Sequence, residues 1–146
     1  MKQYYSYENF KKDTKSLIKK VSIFKPEAIL SIARGGFTLS HAMAEGLDIR
    51  DVQSIRTELY DGSCKREDIA LFGGCNFNVK RVLVVDDIAD SGETLEYIMQ
   101  HLNQNFPEIQ FKVCTLFYKK SSIFEPDFWV NEATGWIDFF WEKDFL

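Results

Sequence analysis

Apolar residues recur along this chain with two alternating periods. Over residues 7–21, Phe10, Leu17, Ile18 and Val21 share one face at helical spacing while Lys11, Lys15 and Lys19 stack on another, which predicts an amphipathic helix. Short apolar runs bounded by turn residues then predict strands over 26–32, 52–59, 81–85 and 110–118. Helical segments separate them, one over 37–45 that Gly46 should end and one over 91–103. Strands alternating with helices predict an α/β fold, a parallel sheet with helices on both faces. Between Tyr60 and Lys80 the periodicity lapses and Gly62, Gly73 and Gly74 appear among charged residues, a loop long enough to imply a functional or disordered segment. With no repeat, low-complexity tract or linker, residues 1–146 read as one domain.

Composition narrows the class. A chain of 146 residues with 45% apolar content can bury a sound core without disulfides. Cys64, Cys75 and Cys114 have neither metal-ligand nor redox spacing, so reduced thiols in a cytoplasmic setting are expected. A net charge of −4 argues against a broad nucleic-acid surface, and no apolar run is long enough for a transmembrane segment. The lysine row on the first helix reads as a solvated face, with a membrane-surface or anionic-partner role left open. His41 and His101 fall on helical segments and read as surface or packing residues.

The chemistry concentrates in residues 82–94, Val-Leu-Val-Val-Asp-Asp-Ile-Ala-Asp-Ser-Gly-Glu-Thr. An unbroken β-branched run suits a strand buried on both faces, so Asp86 and Asp87 emerge at its carboxyl end, the edge where ligands bind in open α/β sheets. Beyond Asp90, Gly92 permits close backbone approach, Ser91 and Thr94 add hydroxyls, and the amides of a helix start make a phosphate seat. The two aspartates would repel a phosphate but can accept from adjacent hydroxyls. A ribose 5-phosphate carries both features. Upstream, Ser31-Ile32-Ala33-Arg34-Gly35-Gly36 is another strand running into a turn, with glycine amides and a guanidinium suited to a diphosphate.

The 82–94 segment resembles the phosphoribosyl pyrophosphate (PRPP) motif of the type I phosphoribosyltransferases, contiguously. The Arg34-Gly35-Gly36 turn resembles their pyrophosphate loop, where a cis peptide between Ala33 and Arg34 would be in keeping. Tyr60-Asp61 and the carboxyl-terminal Trp136-Ile137-Asp138-Phe139-Phe140-Trp141-Glu142 are similar to bacterial xanthine-guanine members, although Leu59 stands where serine is common and Phe140 where proline is.

The resemblance implies a purine-salvage transferase of the type I phosphoribosyltransferase fold, moving the phosphoribosyl group of PRPP to N9 of a 6-oxopurine (guanine, xanthine or hypoxanthine). It implies a mobile lid over about 60–80, a small hood over about 119–146, and a dimer or tetramer. Asp86, Asp87, Ala89, Asp90, Ser91, Gly92, Glu93 and Thr94 would bind ribose and 5-phosphate. Arg34, Gly35 and Gly36 would bind pyrophosphate, with Lys65 or Arg66 reaching it from the lid. Mg²⁺ would be held by Asp87 through water. Asp90 would be the catalytic group beside the imidazole edge of the base. Lys119, a donor only, would bond the 6-oxo oxygen and disfavour adenine; Trp136 would stack on the purine; the main chain at Ile137 would read position 2. Phe139 and Trp141 are expected in the hood core or a subunit contact. The alternative from another class is a nucleotide-sensing regulator on the same fold without useful transfer.

Overall fold

A computed structural model describes residues 2–59 and 69–146, and the lid expectations for Tyr60, Asp61, Lys65 and Arg66 and the thiol expectation for Cys64 lie outside them. The elements in chain order are β1 (Lys2–Tyr5), α1 (Tyr7–Ser22), β2 (Ala28–Ile32), α2 (Phe37–Leu47), β3 (Val52–Leu59), β4 (Ile69–Phe72), β5 (Arg81–Val85), β6 (Ile88–Ala89), α3 (Glu93–Asn105), β7 (Gln110–Cys114), β8 (Phe117–Tyr118), β9 (Asn131–Glu132), β10 (Trp136–Phe139) and α4 (Phe140–Lys143). The central sheet has the order β4-β3-β2-β5-β7, parallel throughout except for β4, which pairs antiparallel with β3. This is the expected α/β fold.

Two hydrophobic layers sandwich the sheet because β2 and β5 are buried on both faces. On one side Ile29, Leu83 and Val85 pack with Leu17 and Val21 of α1 and Leu39 and Met43 of α2. On the other, Ala28, Leu30, Val82 and Val84 pack with Leu95, Ile98 and Leu102 of α3. Alternation along each strand thus feeds opposite layers. α1 begins on Ser6, whose hydroxyl accepts from the amide of Asn9 at 3.1 Å, and it buries the expected Phe10, Leu17 and Val21.

Four local expectations are corrected. α2 runs through Gly46 to Leu47 and is closed by Asp48 in the left-handed region; Gly46 serves packing, since a Cβ there would collide with the Ile18 side chain. The strand expected over 110–118 breaks after Cys114, because the Thr115 and Leu116 amides bond Phe128 and Asp87 carbonyls, and Phe117–Tyr118 joins a second sheet, β6-β8-β9. The segment expected as loop to Lys80 contains β4, and Phe77 beyond it is buried against Phe106 and Phe111. β1, in a polar and aromatic start that carried no expected element, pairs in parallel with β10 as a separate two-stranded sheet.

Candidate active site

Three main-chain features converge at the carboxyl edge of β2 and β5. β5 delivers Asp86 and Asp87, and the Asp87 amide donates to its neighbour's Oδ1 at 2.8 Å. The Asp87 carbonyl accepts from the Leu116 and Phe117 amides at 3.0 and 3.1 Å, so the kink after β7 is bolted to the back of this loop. β2 delivers the turn 33–36, in which the Ala33–Arg34 peptide is cis, in keeping with the family resemblance. Gly35 lies against the Asp87 carboxylate, and a Cβ there would stand 2.5 Å from Asp87 Oδ2. A side chain at Gly36 would run into the Val85 and Ile32 carbonyls, so this turn tolerates only hydrogen there.

The helix start lies slightly later than expected. Gly92 is the N-cap of α3, with φ +84°, and a Cβ on it would meet the Ser122 hydroxyl and the amides of Ile123 and Phe124. The Ser91 hydroxyl accepts from the Glu93 amide at 3.3 Å, and the first helical bond runs from Glu96 N–H to Gly92 O, leaving the Thr94 and Leu95 amides ahead of it directed outward.

These features line one cavity of about 990 Å³ whose wall includes Arg34, Gly35, Asp86, Asp87, Ala89, Asp90, Ser91, Gly92 and Thr94. Residues more than fifty positions apart in the chain therefore meet in one wall, but Gly36, whose amide bonds the Ile32 carbonyl, and Glu93, both expected at the ligand, are not part of it. Burial raises both aspartates: Asp86 stands well above the usual carboxylate range, with the Asp87 charge adding. Asp87 is pushed up to about 6 by burial and by the Glu142 charge, against hydrogen bonds from Asp86 and main-chain amides that lower it.

The three residues expected at the base do not line this cavity. Lys119 Nζ lies 3.5 Å from Asp90 Oδ1, half-exposed, which sets it beside the cavity through that acid. Trp136 is 63% exposed, its indole donating to Asp138 Oδ1 at 2.8 Å, and Ile137 is buried at the β1–β10 pairing. The wall also includes Phe37, Thr38, Thr57, Trp141, Glu142, Phe145 and Leu146, none of them assigned to it from the sequence. Trp141 combines the expected hood packing, stacked on Phe139 at 4.6 Å, with a place in that wall. Alternation toward the end of β3 could have pointed to Thr57; nothing local marks Glu142. His41 and His101 are absent from the wall, and among the described residues no group of three or more His, Cys, Asp or Glu could hold a metal. Among the described residues, no helix is long and apolar enough to cross a membrane.

The model of the phosphoribosyl transferase domain matches residues 1–144. The chain belongs to that family. Within it, this phosphoribosyltransferase chain is 36% identical to a Helicobacter pylori xanthine-guanine-hypoxanthine phosphoribosyltransferase, with a TM-score of 0.90 over 99% of this chain and 96% of the other. A purine phosphoribosyltransferase from Pyrococcus horikoshii is 28% identical, with a TM-score of 0.87 over 97% and 94%. A xanthine-guanine phosphoribosyltransferase of Idiomarina loihiensis is 25% identical over 94% of this chain and 84% of its own length.

Proposed function

We propose that this phosphoribosyltransferase moves the 5-phosphoribosyl group of PRPP to N9 of a 6-oxopurine and releases pyrophosphate. One observation carries the reading: paired acids, a helix-start amide seat and an arginine-glycine turn share a single cavity at the sheet's carboxyl edge. The named activities of the relatives support the same substrate class.

The roles follow from chemistry. The amides at the start of α3, with the Ser91 and Thr94 hydroxyls, hold the 5-phosphate without a lysine, and Gly92 keeps backbone close enough to do so. Asp86 and Asp87 accept from the ribose hydroxyls, fixing the sugar by its other end. The Gly35 amide and the Arg34 guanidinium take the pyrophosphate, while the Gly36 amide, expected there as well, donates instead to the Ile32 carbonyl at 2.9 Å. Asp90 accepts the proton that the base loses as its nitrogen bonds the anomeric carbon, a transfer worth on the order of 10² to 10⁴ in rate. Lys119, already beside Asp90, donates to the 6-oxo oxygen, and an amino group at that position meets a second donor instead. Trp136 and the Ile137 main chain, which lie on β10 outside the cavity wall described above, would supply the remaining contacts to the base.

The donor set fits Mg²⁺ bound with substrate. Two adjacent carboxylates at the cavity floor, too few for an all-protein cage, suit a hard cation that retains waters and substrate oxygens, with Asp87 holding it through water. When bound, the ion neutralises charge developing on the departing pyrophosphate. Incubation with PRPP, Mg²⁺ and each of guanine, xanthine, hypoxanthine and adenine tests the proposal. Mononucleotide should form with one or more oxopurines and not with adenine; formation with adenine alone, or with none, refutes it.

A further inference from the structure

A buried carboxylate that the transfer chemistry does not use lies behind the hood. Asp13, on α1, is 7% exposed and faces the protein interior rather than the cavity. Two donors from different elements converge on its Oδ2: the Tyr5 hydroxyl of β1 at 2.6 Å and Asn131 Nδ2 of β9 at 2.9 Å. Burial and the Asp13 hydrogen bond raise the Tyr5 hydroxyl far above its ordinary range, so the phenol remains a donor.

The two arms of this junction end in different places. Through Asn131 it reaches Leu116, whose carbonyl accepts from the Asn131 side chain at 3.3 Å and from its amide at 3.0 Å; the Leu116 amide in turn bonds the Asp87 carbonyl. That arm is held by main-chain bonds whether or not the carboxylate is present. The Tyr5 arm has less redundancy. β1 and β10 form a sheet of two strands apart from the central one, with Tyr5 opposite Phe139 and Gln3 opposite Ile137. Tyr5 packs edge-on against Phe117, Phe139 and Trp141, and its hydroxyl bond to Asp13 is a polar tie from this pair of strands to α1. Asn131 is thus the fixed end and Tyr5 the dependent end.

We propose that Asp13 is a positioning residue for the base subsite: acting through Tyr5, it fixes the height of β10, and with it the Ile137 main chain, relative to the ribose-binding loop. This rests on the transfer reading above. The charge gives the bond more strength than a neutral acceptor, and two donors on one oxygen leave the Tyr5 ring a single orientation. The phosphate and pyrophosphate seats lie on α3 and on the 33–36 turn, which this junction does not touch.

Steady-state kinetics of Tyr5→Phe, Asp13→Ala and Asp13→Asn against wild type, each checked for folding by circular dichroism, test the proposal. Tyr5→Phe keeps the ring packing and should raise KM for the oxopurine about fivefold to tenfold, the worth of one such hydrogen bond, with KM for PRPP and kcat within about twofold. Asp13→Ala should do the same or more, whereas Asp13→Asn, which keeps an acceptor oxygen, should recover most of the base affinity. Base KM unchanged in Tyr5→Phe, or both KM values moving together, overturns the positioning role while leaving the transfer reading intact. If Asp13→Ala fails to fold, Tyr5→Phe alone decides. A folded wild type that forms no nucleotide with any base overturns the transfer reading and this inference with it.

Discussion

Asp87 is placed where the sugar needs an acceptor and where the fold is worse off for having one. Its ordinary value of 3.8 is raised to about 6, burial being the largest cause and the Glu142 carboxylate contributing in the same direction. Well below 3.8 both folded and unfolded chains hold this proton, and no penalty exists. Between about 4 and 6 the unfolded chain has released it and the folded chain retains it, so stability falls as pH rises through that window. Above about 6 the penalty is complete. Its upper bound is roughly 3 kcal/mol, and the shared hydrogen bonding with Asp86 makes roughly 1 to 3 kcal/mol the working range. Asp87→Asn removes the charge and keeps an oxygen for the amides that donate to this side chain. In buffer with EDTA and no substrate, the variant should melt about 3 to 9 °C above wild type at pH 8, with the gain cut to about a third at pH 4.5. Transferase activity should fall by two orders of magnitude or more, on the order of what loss of a buried, charge-assisted contact costs. Thermal denaturation across this pH range is the assay. A variant less stable than wild type at pH 8, or equally favoured at every pH, would show that the carboxylate is not a net burden on the fold.

Other outcomes follow from the geometry. Asp90→Asn should lower kcat on the order of 10² to 10⁴ while calorimetry still detects nucleotide binding; unchanged turnover removes Asp90 from the proton transfer. Gly35→Ala sets a methyl 2.5 Å from Asp87 Oδ2, so PRPP affinity should drop while base-side contacts persist, as isothermal titration with Mg²⁺ would read. Gly36→Ala meets two strand carbonyls that have nowhere to go, and urea denaturation should give a loss of roughly 1 to 3 kcal/mol or more. Lys119→Ala should raise KM for oxopurines and narrow the discrimination against adenine, with little effect on melting, because its partly exposed pair with Asp90 contributes roughly 1 kcal/mol or less.

Much of the architecture was legible because it depends on local order. The unbroken run Val82 to Val85 can be buried only between two layers, and helices on both sides of β5 supply them. Asp86, Asp87 and the glycine-led start of α3 are contiguous, so strand, acceptors and amide seat follow one another whatever the rest of the chain does. The Arg34-Gly35-Gly36 turn was visible as a strand ending in two glycines, and a Cβ at either would meet Asp87 or strand carbonyls.

What the sequence determined by itself, then, was the order of elements and the chemistry each strand end carries, since both are set by periodicities of a few residues. Contacts between segments remote in the chain were decided only in three dimensions. Gly46 looked like a helix stop because its conformational cost is local, yet packing against Ile18 outweighs it and α2 continues. Lys2–Tyr5 has no strand signal apart from its partner β10, and Phe77 reads as loop until Phe106 and Phe111 close on it. Glu142 enters the cavity wall and the electrostatics of Asp87 only because the carboxyl-terminal segment lies at the same cavity as the end of β5, bringing together charges that no short pattern in the chain relates.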